Sequence, residues 1–201
     1  MAIKNKDGIV TSNREKVVER CAEYYKELYY SSESRPNLEG SAENPLPEIT
    51  LDELSHALKQ MKNNKAPGED GIVIDVIKEG ADEINKHIVN LFNMCLQKRE
   101  TPKEWNNALI ILLHKKGDVK DISNYRPISL LSHMSKLFTK VIKNRIERQL
   151  DENQAREQAG FRCGYSTTDH LQVMQQLIEK TCEYELPLCL AFVDYEKASI
   201  R

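Results

Sequence analysis

The sequence has no apolar run near the length of about 20 residues that a membrane-spanning helix needs. Its first residues, MAIKNKD, have no apolar core of the kind found in a secretory signal peptide. Internal repeats and low-complexity tracts are absent as well. We therefore expect an intracellular protein of the cytoplasm or nucleus with no membrane partner. Its 40% hydrophobic residues are enough to form a folded core.

Cysteine and histidine are too scattered along the chain to indicate a site. The five cysteines are odd in number, and no two have the spacing of a zinc knuckle or a thioredoxin-like pair. The five histidines are equally dispersed, so no sequence pattern supports a metal cluster or a Cys/His nucleophile. We expect reduced, mostly buried thiols with no disulfide partner.

A net charge of only −2 argues at first against binding to nucleic acid, but the charge is unevenly distributed. Between Lys115 and Arg148, nine Lys and Arg residues stand against three Asp and Glu residues. A local basic block of this kind is typical of surfaces that bind polyphosphate. The alternative is a solvated helix face, and composition alone does not separate the two hypotheses.

Helical periodicity dominates the pattern and predicts an α+β fold that is mostly helical. Helix caps are predicted at Ser12, Thr50 and Ser166, each with an acidic residue three positions later. Thr101 followed by Pro102 predicts the start of another, short helix. Amphipathic helices are predicted over residues 12–30, 50–61, 84–98, 135–150 and 166–182.

The composition changes sharply over residues 31–47, which are rich in Ser, Glu, Asn and Pro and poor in apolar side chains. Such a stretch predicts an exposed linker. We therefore divide the chain into an N-terminal helix and linker, residues 1–49, and a larger domain, residues 50–201. The first helix is expected to dock loosely on the rest of the chain.

Three segments have the composition of β-strands. The apolar residues 108–114 and the extended residues 124–129 predict a hairpin with cations near its tip, because the residue before a proline avoids the helical region. Trp105 is expected to anchor the packing just before this hairpin. The helix faces are expected to pack around residues 109–113. A further apolar run, residues 188–193, predicts a strand that is buried on both faces.

The last of these strands stops at Asp194. A carboxylate at the C-terminal end of a rigid strand is well placed to bind Mg²⁺, which proteins hold with one or two carboxylates together with substrate phosphates. The alternative is that Asp194 only caps a turn. The residue by itself does not decide between these two roles.

Five short motifs follow one another along the chain. They are residues 64–72 (NKAPGEDGI), 113–118 (LHKKGD), 124–131 (NYRPISLL), 158–162 (QAGFR) and 192–198 (FVDYEKA). In this order they resemble the reverse transcriptases of non-LTR, LINE-like retrotransposons. The resemblance covers nearly all of the chain from about Thr50 onward. The residues before Thr50 are similar to the connector that joins an upstream endonuclease to the polymerase in such polyproteins.

The resemblance implies a partial right-hand polymerase fold made of the fingers and the first palm strand. It also implies RNA-directed DNA synthesis from deoxynucleoside triphosphates, with an RNA template, a DNA primer and Mg²⁺. Asp194 would be a catalytic acid and metal ligand, and the backbone carbonyl of Tyr195 would be a further ligand beside the nucleotide. Lys115, Lys116 and Arg126 would contact the incoming triphosphate, since a guanidinium suits planar phosphate recognition.

Two other regions are expected to contact nucleic acid. The resemblance places Gly160, Phe161 and Arg162 beside the template or the nucleotide, where glycine permits a close backbone approach. The basic block contributes a stripe of three lysines at helical spacing, which would contact the phosphate backbone. These lysines are Lys136, Lys140 and Lys143.

Two departures from the family pattern limit the expected activity. Ser199 stands where the family has a large aromatic residue that excludes a ribose 2′-hydroxyl. The later motif with paired aspartates, the thumb and the upstream endonuclease are not in the sequence. We therefore expect a truncated polymerase segment that is inactive alone, because one carboxylate does not hold two metals. The alternatives are a non-catalytic nucleic-acid-binding module and an inert element remnant.

Overall fold

The computed structural model describes residues 2–30, 46–80, 82–155, 157–160, 162 and 164–193. Within these residues the fold is α+β and mostly helical, as predicted, with two small antiparallel sheets. The chain divides into two compact units, Met1–Lys143 and Asn144–Arg201. None of the helices in these ranges combines the length and the apolar character that crossing a membrane requires.

The first unit opens with a small sheet and a long helix. These elements are β1 (Ile3–Lys4), β2 (Val10–Thr11) and α1 (Arg14–Tyr29). Asn13 caps α1, because its side-chain oxygen accepts the N–H groups of Glu15 and Lys16. The predicted cap at Ser12 was therefore wrong by one residue. Two adjacent cap-forming residues precede this helix, and the sequence did not show which of them lies next to the first helical residue.

Helices α2 (Leu51–Gln60), α3 (Ile74–Lys78), α4 (Asp82–Lys98) and α5 (His133–Asn153) bury their apolar faces against one another. The predicted box at Thr50 is confirmed, since Thr50 and Glu53 each accept the other's backbone N–H. The fully buried apolar side chains of this core stabilise the first unit, because folding removes them from water. They include Leu54, Ile74, Phe92, Leu137 and Val141.

A 3₁₀ helix, Lys103–Asn106, follows α4. The predicted cap at Thr101 was wrong, because Pro102 directly precedes this helix and no side chain caps it. Four residues form a single tight turn, which is too short for the reciprocal bonds of a capping box. The packing role of Trp105 is confirmed, because its ring lies 6.0 Å from that of Phe92 and 5.5 Å from that of Phe138.

The predicted hairpin is confirmed as β3 (Ala108–His114) paired with β4 (Tyr125–Leu131). However, our expectation that the helix faces pack around this hairpin was wrong. Leu109 and Leu113 are each 50% exposed. A two-stranded ribbon has too little surface to bury all of its own apolar side chains, whereas the helices cover their apolar faces with one another.

The N-terminal helix packs more firmly than predicted. Val17 and Tyr25 of α1 are buried in a second apolar cluster with Ile3 of β1 and Ile122, which lies in the connection between β3 and β4. Burial raises the pKa of Tyr25 to about 12. The expectation of loose docking was therefore wrong. Most of the predicted linker, residues 31–45, lies outside the described residues.

The second unit contains the end of α5 and α6 (Thr167–Glu183). The cap at Ser166 is confirmed, with reciprocal bonds between Ser166 and Asp169. Residues 186–193 follow without regular structure, so the predicted strand was wrong. Phe192 and Val193 are 85% and 76% exposed. A strand buried on both faces needs neighbours for its backbone groups, and no described segment pairs with this one.

The cysteine prediction is only partly confirmed. Cys95 is buried and Cys21 is half-buried, and burial raises the pKa of both thiols. Cys182 and Cys189 are exposed. Both lie in the second unit, where α6 has no buried residue.

Candidate functional site

The β3–β4 hairpin gathers the three predicted triphosphate-binding cations at one end. Arg126 pairs with Leu113, the penultimate residue of β3, and the backbone N–H of Lys115 bonds to Asn124 O at 2.9 Å. Lys116 follows directly, and the side chains of Lys115, Lys116 and Arg126 are exposed. Sequence motifs 113–118 and 124–131 therefore form one structural unit. Its end carries three positive charges that are accessible to a ligand.

The connection between the two strands is held by hydrogen bonds of its own. Gly117 has a positive φ of 86°, a conformation that costs glycine little. Asn124 Nδ2 donates to Asp118 O at 3.1 Å, and the Tyr125 hydroxyl donates to Val119 O at 2.7 Å. The backbone N–H of Ser123 donates to the carboxylate of Asp121, which lowers the pKa of that carboxyl. The turn therefore presents its lysines from an ordered backbone.

The N-terminal strand braces this connection. The backbone N–H of Lys4 donates to Lys120 O at 2.8 Å, and Lys4 Nζ lies 2.7 Å from Asp118 Oδ2. The hydrogen bond from Lys4 lowers the pKa of Asp118. Ile3, which is fully buried, packs in the same cluster as Ile122 and Leu112. Sequence reasoning missed this contact, because β1 and the connection are more than 110 residues apart.

Motif 64–72 packs against the end of motif 124–131. A Cβ added at Gly68 would lie 2.6 Å from Ser132 N and 2.7 Å from the carbonyl carbon of Leu131. The ring Nδ1 of the buried His133 donates to Ile72 O at 2.8 Å. His133 is a lone histidine with no sequence pattern that could have indicated this contact. Gly68 lies within motif 64–72, but only the structure shows that its lack of a side chain allows the loop to approach the backbone of Leu131 and Ser132.

The three lysines of the predicted stripe lie along α5. Lys136 and Lys140 are half-buried, whereas Lys143 is exposed. Leu137 and Val141 on the same helix face the core, so the lysines lie away from it. Lys136 also lines a pocket of about 330 Å³ together with two lysines that sequence reasoning missed. These are Lys62 and Lys65.

In the second unit, Arg162 is engaged by its own chain. Its Nε lies 2.9 Å from Asp151 Oδ1, and its guanidinium carbon lies 4.6 Å from the centre of the Tyr165 ring. The side chain is only 14% exposed. Gly160 is exposed in the same loop, and Phe161 lies outside the described residues. Arg162 therefore joins Asp151 of α5 to Tyr165, which lies two residues before α6.

The chain is similar in sequence to several known proteins. No family model matches it. The Transposon TX1 uncharacterized 149 kDa protein of Xenopus laevis is 30% identical over 96% of the chain. The RNA-directed DNA polymerase from mobile element jockey of Drosophila melanogaster is 31% identical over 77% of the chain. The Pol polyprotein from the type-1 retrotransposable element R1 of Bradysia coprophila is 30% identical over 66% of it.

The chain is related to the reverse transcriptases of non-LTR retrotransposons. This confirms the relationship that the order of its motifs predicted. The chain spans only part of each relative, namely 16% of the TX1 protein, 17% of the jockey polymerase and 14% of the R1 polyprotein. The activities in these names are therefore those of much longer proteins.

The predicted metal ligands of this chain, Asp194 and Tyr195, lie outside the described residues. Their roles remain predictions for that reason. Within the described ranges, no group of three or more His, Cys, Asp or Glu side chains could hold a metal ion.

We expect Ile3→Ala to loosen the connection between β3 and β4. The change removes most of a fully buried side chain from the apolar cluster that also contains Ile122. A truncation of this kind lowers the free energy of unfolding by about 2 kcal/mol or more. The expected result is faster proteolytic cleavage within residues 115–121 and a lower melting temperature. Ile9→Ala is the matched control, because Ile9 is 65% exposed. Equal cleavage rates in the two variants would contradict the bracing role of β1.

Proposed function

We propose that the first unit is the fingers region of an RNA-directed DNA polymerase of a non-LTR retrotransposon, and that residues 192–198 carry the first palm acid. The main support is the relationship to transposon polymerases over 77% of the chain. The hairpin adds to it, since it gathers Lys115, Lys116 and Arg126 at one end. The substrates are an RNA template, a DNA primer and deoxynucleoside triphosphates.

The three hairpin cations suit a triphosphate. Arg126 offers a planar fork of N–H donors that matches two phosphate oxygens, while Lys115 and Lys116 act as point charges. All three side chains are exposed, so their attraction to phosphate is weak until substrate excludes the water around them. The role of Arg126 is to orient the triphosphate, and the role of the lysines is to attract it.

The carboxylate of Asp194 and the backbone carbonyl of Tyr195 provide hard oxygen donors, which are the ligands that Mg²⁺ prefers. We assign the metal site of the complete polymerase to these two residues. The metal, when bound, lowers the pKa of the attacking primer hydroxyl and offsets charge on the phosphate. Because the 201-residue sequence has no paired-aspartate motif, we propose that this polypeptide does not extend a primer by itself.

The loop of motif 158–162 is assigned to the template. Gly160 and Phe161 would lie against the nucleic acid, where a small residue allows close approach and an aromatic ring can stack on a base. Arg162 would hold the loop in place, since Asp151 and Tyr165 already engage its guanidinium.

A second candidate function is non-catalytic binding of nucleic acid. The stripe of Lys136, Lys140 and Lys143 and the basic block around it favour this function. Their contacts with phosphate would require no metal-binding carboxylate. An inert remnant would have neither activity. Binding that weakens steeply with salt separates these two possibilities, because phosphate contacts release counterions.

The test is a chimera in which residues 50–201 replace the corresponding segment of the jockey polymerase. We expect primer extension on an RNA template, and we expect Arg126→Ala to reduce it about 100-fold or more, as loss of a positioned charge at a reacting phosphate does. Asp194→Asn should reduce extension to background. The polypeptide of 201 residues, tested with Mg²⁺ and Mn²⁺, should show no extension.

Arg99→Ala is the matched control, since Arg99 is also exposed but lies after α4, outside the hairpin. It should retain the activity of the parent chimera. Unchanged extension in the Arg126→Ala chimera would remove the hairpin from nucleotide binding. Primer extension by the 201-residue polypeptide, if Asp194→Asn abolishes it, would show that the paired-aspartate motif is dispensable.

A further inference from the structure

The outer edge of β3 is an unassigned feature of the first unit. The direction of its backbone groups follows from the hydrogen bond between Lys115 N and Asn124 O, and from a register that continues from this pair through residues 114–108 without a bulge. Bonded and non-bonded pairs alternate along an antiparallel ladder. The odd-numbered residues of β3 therefore bond to β4, and the even-numbered residues point their N–H and C=O groups away from it. These outward residues are Ala108, Ile110, Leu112 and His114.

The corresponding edge of β4 is closed at three places. The Tyr25 hydroxyl of α1 donates to Tyr125 O at 3.5 Å. Pro127 has no N–H to offer to another strand. The close approach of Gly68 covers the backbone carbonyl of Leu131. Features of this kind prevent an edge strand from pairing with another chain.

The edge of β3 has none of these protections. Its residues 108–113, ALIILL, contain no charged residue, proline or glycine. In the part of the chain that the structure describes, no hydrogen bond engages the outward N–H or C=O groups of Ala108, Ile110 or Leu112. The Ile110 side chain is 44% exposed. An open apolar edge of this kind is a template for a further strand.

A second copy of the same edge fits this template. Antiparallel pairing about a two-fold axis at Ile111 places Ile110 opposite Leu112 of the other copy, and Ala108 opposite His114. All the outward residues of both strands then take part, which gives about eight backbone hydrogen bonds. A shift of the register by two residues leaves about six, so the register about Ile111 is the favoured one.

The charges favour the antiparallel arrangement as well. Lys115 and Lys116 follow β3 directly, so parallel pairing would bring the lysines of both copies together at one end. In the antiparallel arrangement the two copies of Lys115 lie on opposite sides of the axis, about 27 Å apart at a rise of about 3.4 Å per residue. Charges in solvent are screened over about 10 Å at moderate salt, so the remaining repulsion is small.

We propose that two copies of this chain associate through the outer edges of their β3 strands and form a continuous four-stranded sheet. The interface contains one strand and its flanking side chains from each copy, which places it at the small end of specific interfaces, below about 1,200 Å². The dimer is therefore reversible and depends on protein concentration. The pairing involves neither nucleic acid nor Arg126, which lies on β4, so it stands apart from the proposed function.

The first test is sedimentation velocity of the full 201-residue chain between about 1 and 200 μM, where we expect a shift from monomer to dimer. Ile110→Pro removes an outward N–H from each copy without removing a bond to β4. It should raise the dissociation constant about tenfold or more. Ser129→Pro is the matched control, because Ser129 lies directly opposite Ile110 and its N–H points to the other edge of the hairpin. It should dimerise like the parent chain.

A second pair of variants keeps every backbone N–H. Ile110→Lys places a charge on the open edge, as natural edge strands do, and should also weaken the dimer about tenfold or more, whereas Ser129→Lys should not. Both side chains are exposed, and far-UV circular dichroism checks that every variant is folded. A chain that stays monomeric at about 200 μM overturns the proposal. A dimer that both Ile110 variants leave unchanged, or that the Ser129 variants weaken equally, overturns it as well.

Disulfide trapping tests the register. Ile111 lies opposite its own counterpart in a non-hydrogen-bonded pair, where the Cα atoms are about 4.5 Å apart, a distance that a disulfide spans. Ile111→Cys chains should therefore link to each other under mild oxidation, and peptide mass spectrometry should find the two introduced thiols joined. Leu109→Cys is the control, because its two Cα atoms would lie about 14 Å apart. Equal cross-linking of the two variants would contradict pairing about Ile111 and overturn the proposal.

Discussion

Gly68→Ala is expected to destabilise the first unit by about 3 kcal/mol, the upper end of the usual cost of overpacking. The added methyl group would lie 2.6 Å from Ser132 N, 2.7 Å from the carbonyl carbon of Leu131 and 2.9 Å from its oxygen. All three atoms belong to the backbone, so no side-chain rotation can relieve the contact. The loop 61–72 or the end of β4 has to move.

The melting temperature, followed by far-UV circular dichroism, should fall by about 6 to 12 °C, since 1 kcal/mol corresponds to about 2 to 4 °C in a chain of this size. Gly160→Ala is the control, because its Cβ would meet only the side-chain Nε2 of Gln158, at 3.4 Å. It should change stability by less than about 0.5 kcal/mol. Equal melting temperatures for the Gly68→Ala and Gly160→Ala proteins would mean that the loop 61–72 does not pack against the end of β4 in solution.

Phe92→Ala should destabilise the same unit by about 3 to 5 kcal/mol, the cost typical of removing a buried aromatic ring. Phe92 is fully buried at the centre of the helical core. Its ring makes edge-to-face contacts with Trp105 at 6.0 Å and with Phe138 at 5.1 Å. Both contacts would be lost, and the helices on either side would not fully close the cavity.

Two measurements check this outcome. The melting temperature should fall by about 6 to 20 °C, and the emission of Trp105, the one tryptophan of the chain, should shift to longer wavelength as water reaches the ring. Met94→Ala on the same helix is the control, because Met94 is 49% exposed. A Phe92→Ala protein with unchanged emission and stability would exclude this arrangement of α4, Trp105 and α5.

The helices of this protein were largely predictable, because the interactions that start them are local. The caps at Thr50 and Ser166 each involve an acidic residue three positions away, so the pattern and the hydrogen bonds coincide. The hairpin was predictable for a similar reason, since proline at position 127 and the two apolar runs restrict the backbone locally. The order of the motifs also identified the relationship to transposon polymerases.

Within the candidate site, the sequence located Arg126 and the two lysines beside it, because the motifs that contain them are contiguous. It did not find Lys62 or Lys65 as partners of Lys136, since about 70 residues separate the loop from the helix. It placed Arg162 beside the template or the nucleotide, which stays a prediction, and it did not find the ion pair of Arg162 with Asp151. A side chain's partner is set by the path of the backbone, which the local pattern does not contain.

Sequence alone therefore determined where the helices and the hairpin lie and to which polymerases the chain is related. Only the tertiary structure decided which apolar runs are buried. Residues 188–193 have the composition of a buried strand yet are largely exposed, and β3 is equally apolar and still half-exposed. Burial requires a complementary surface, and that surface comes from elements distant in the sequence. In the first unit the helices meet such surfaces in one another, which is why the core forms among α2, α3, α4 and α5.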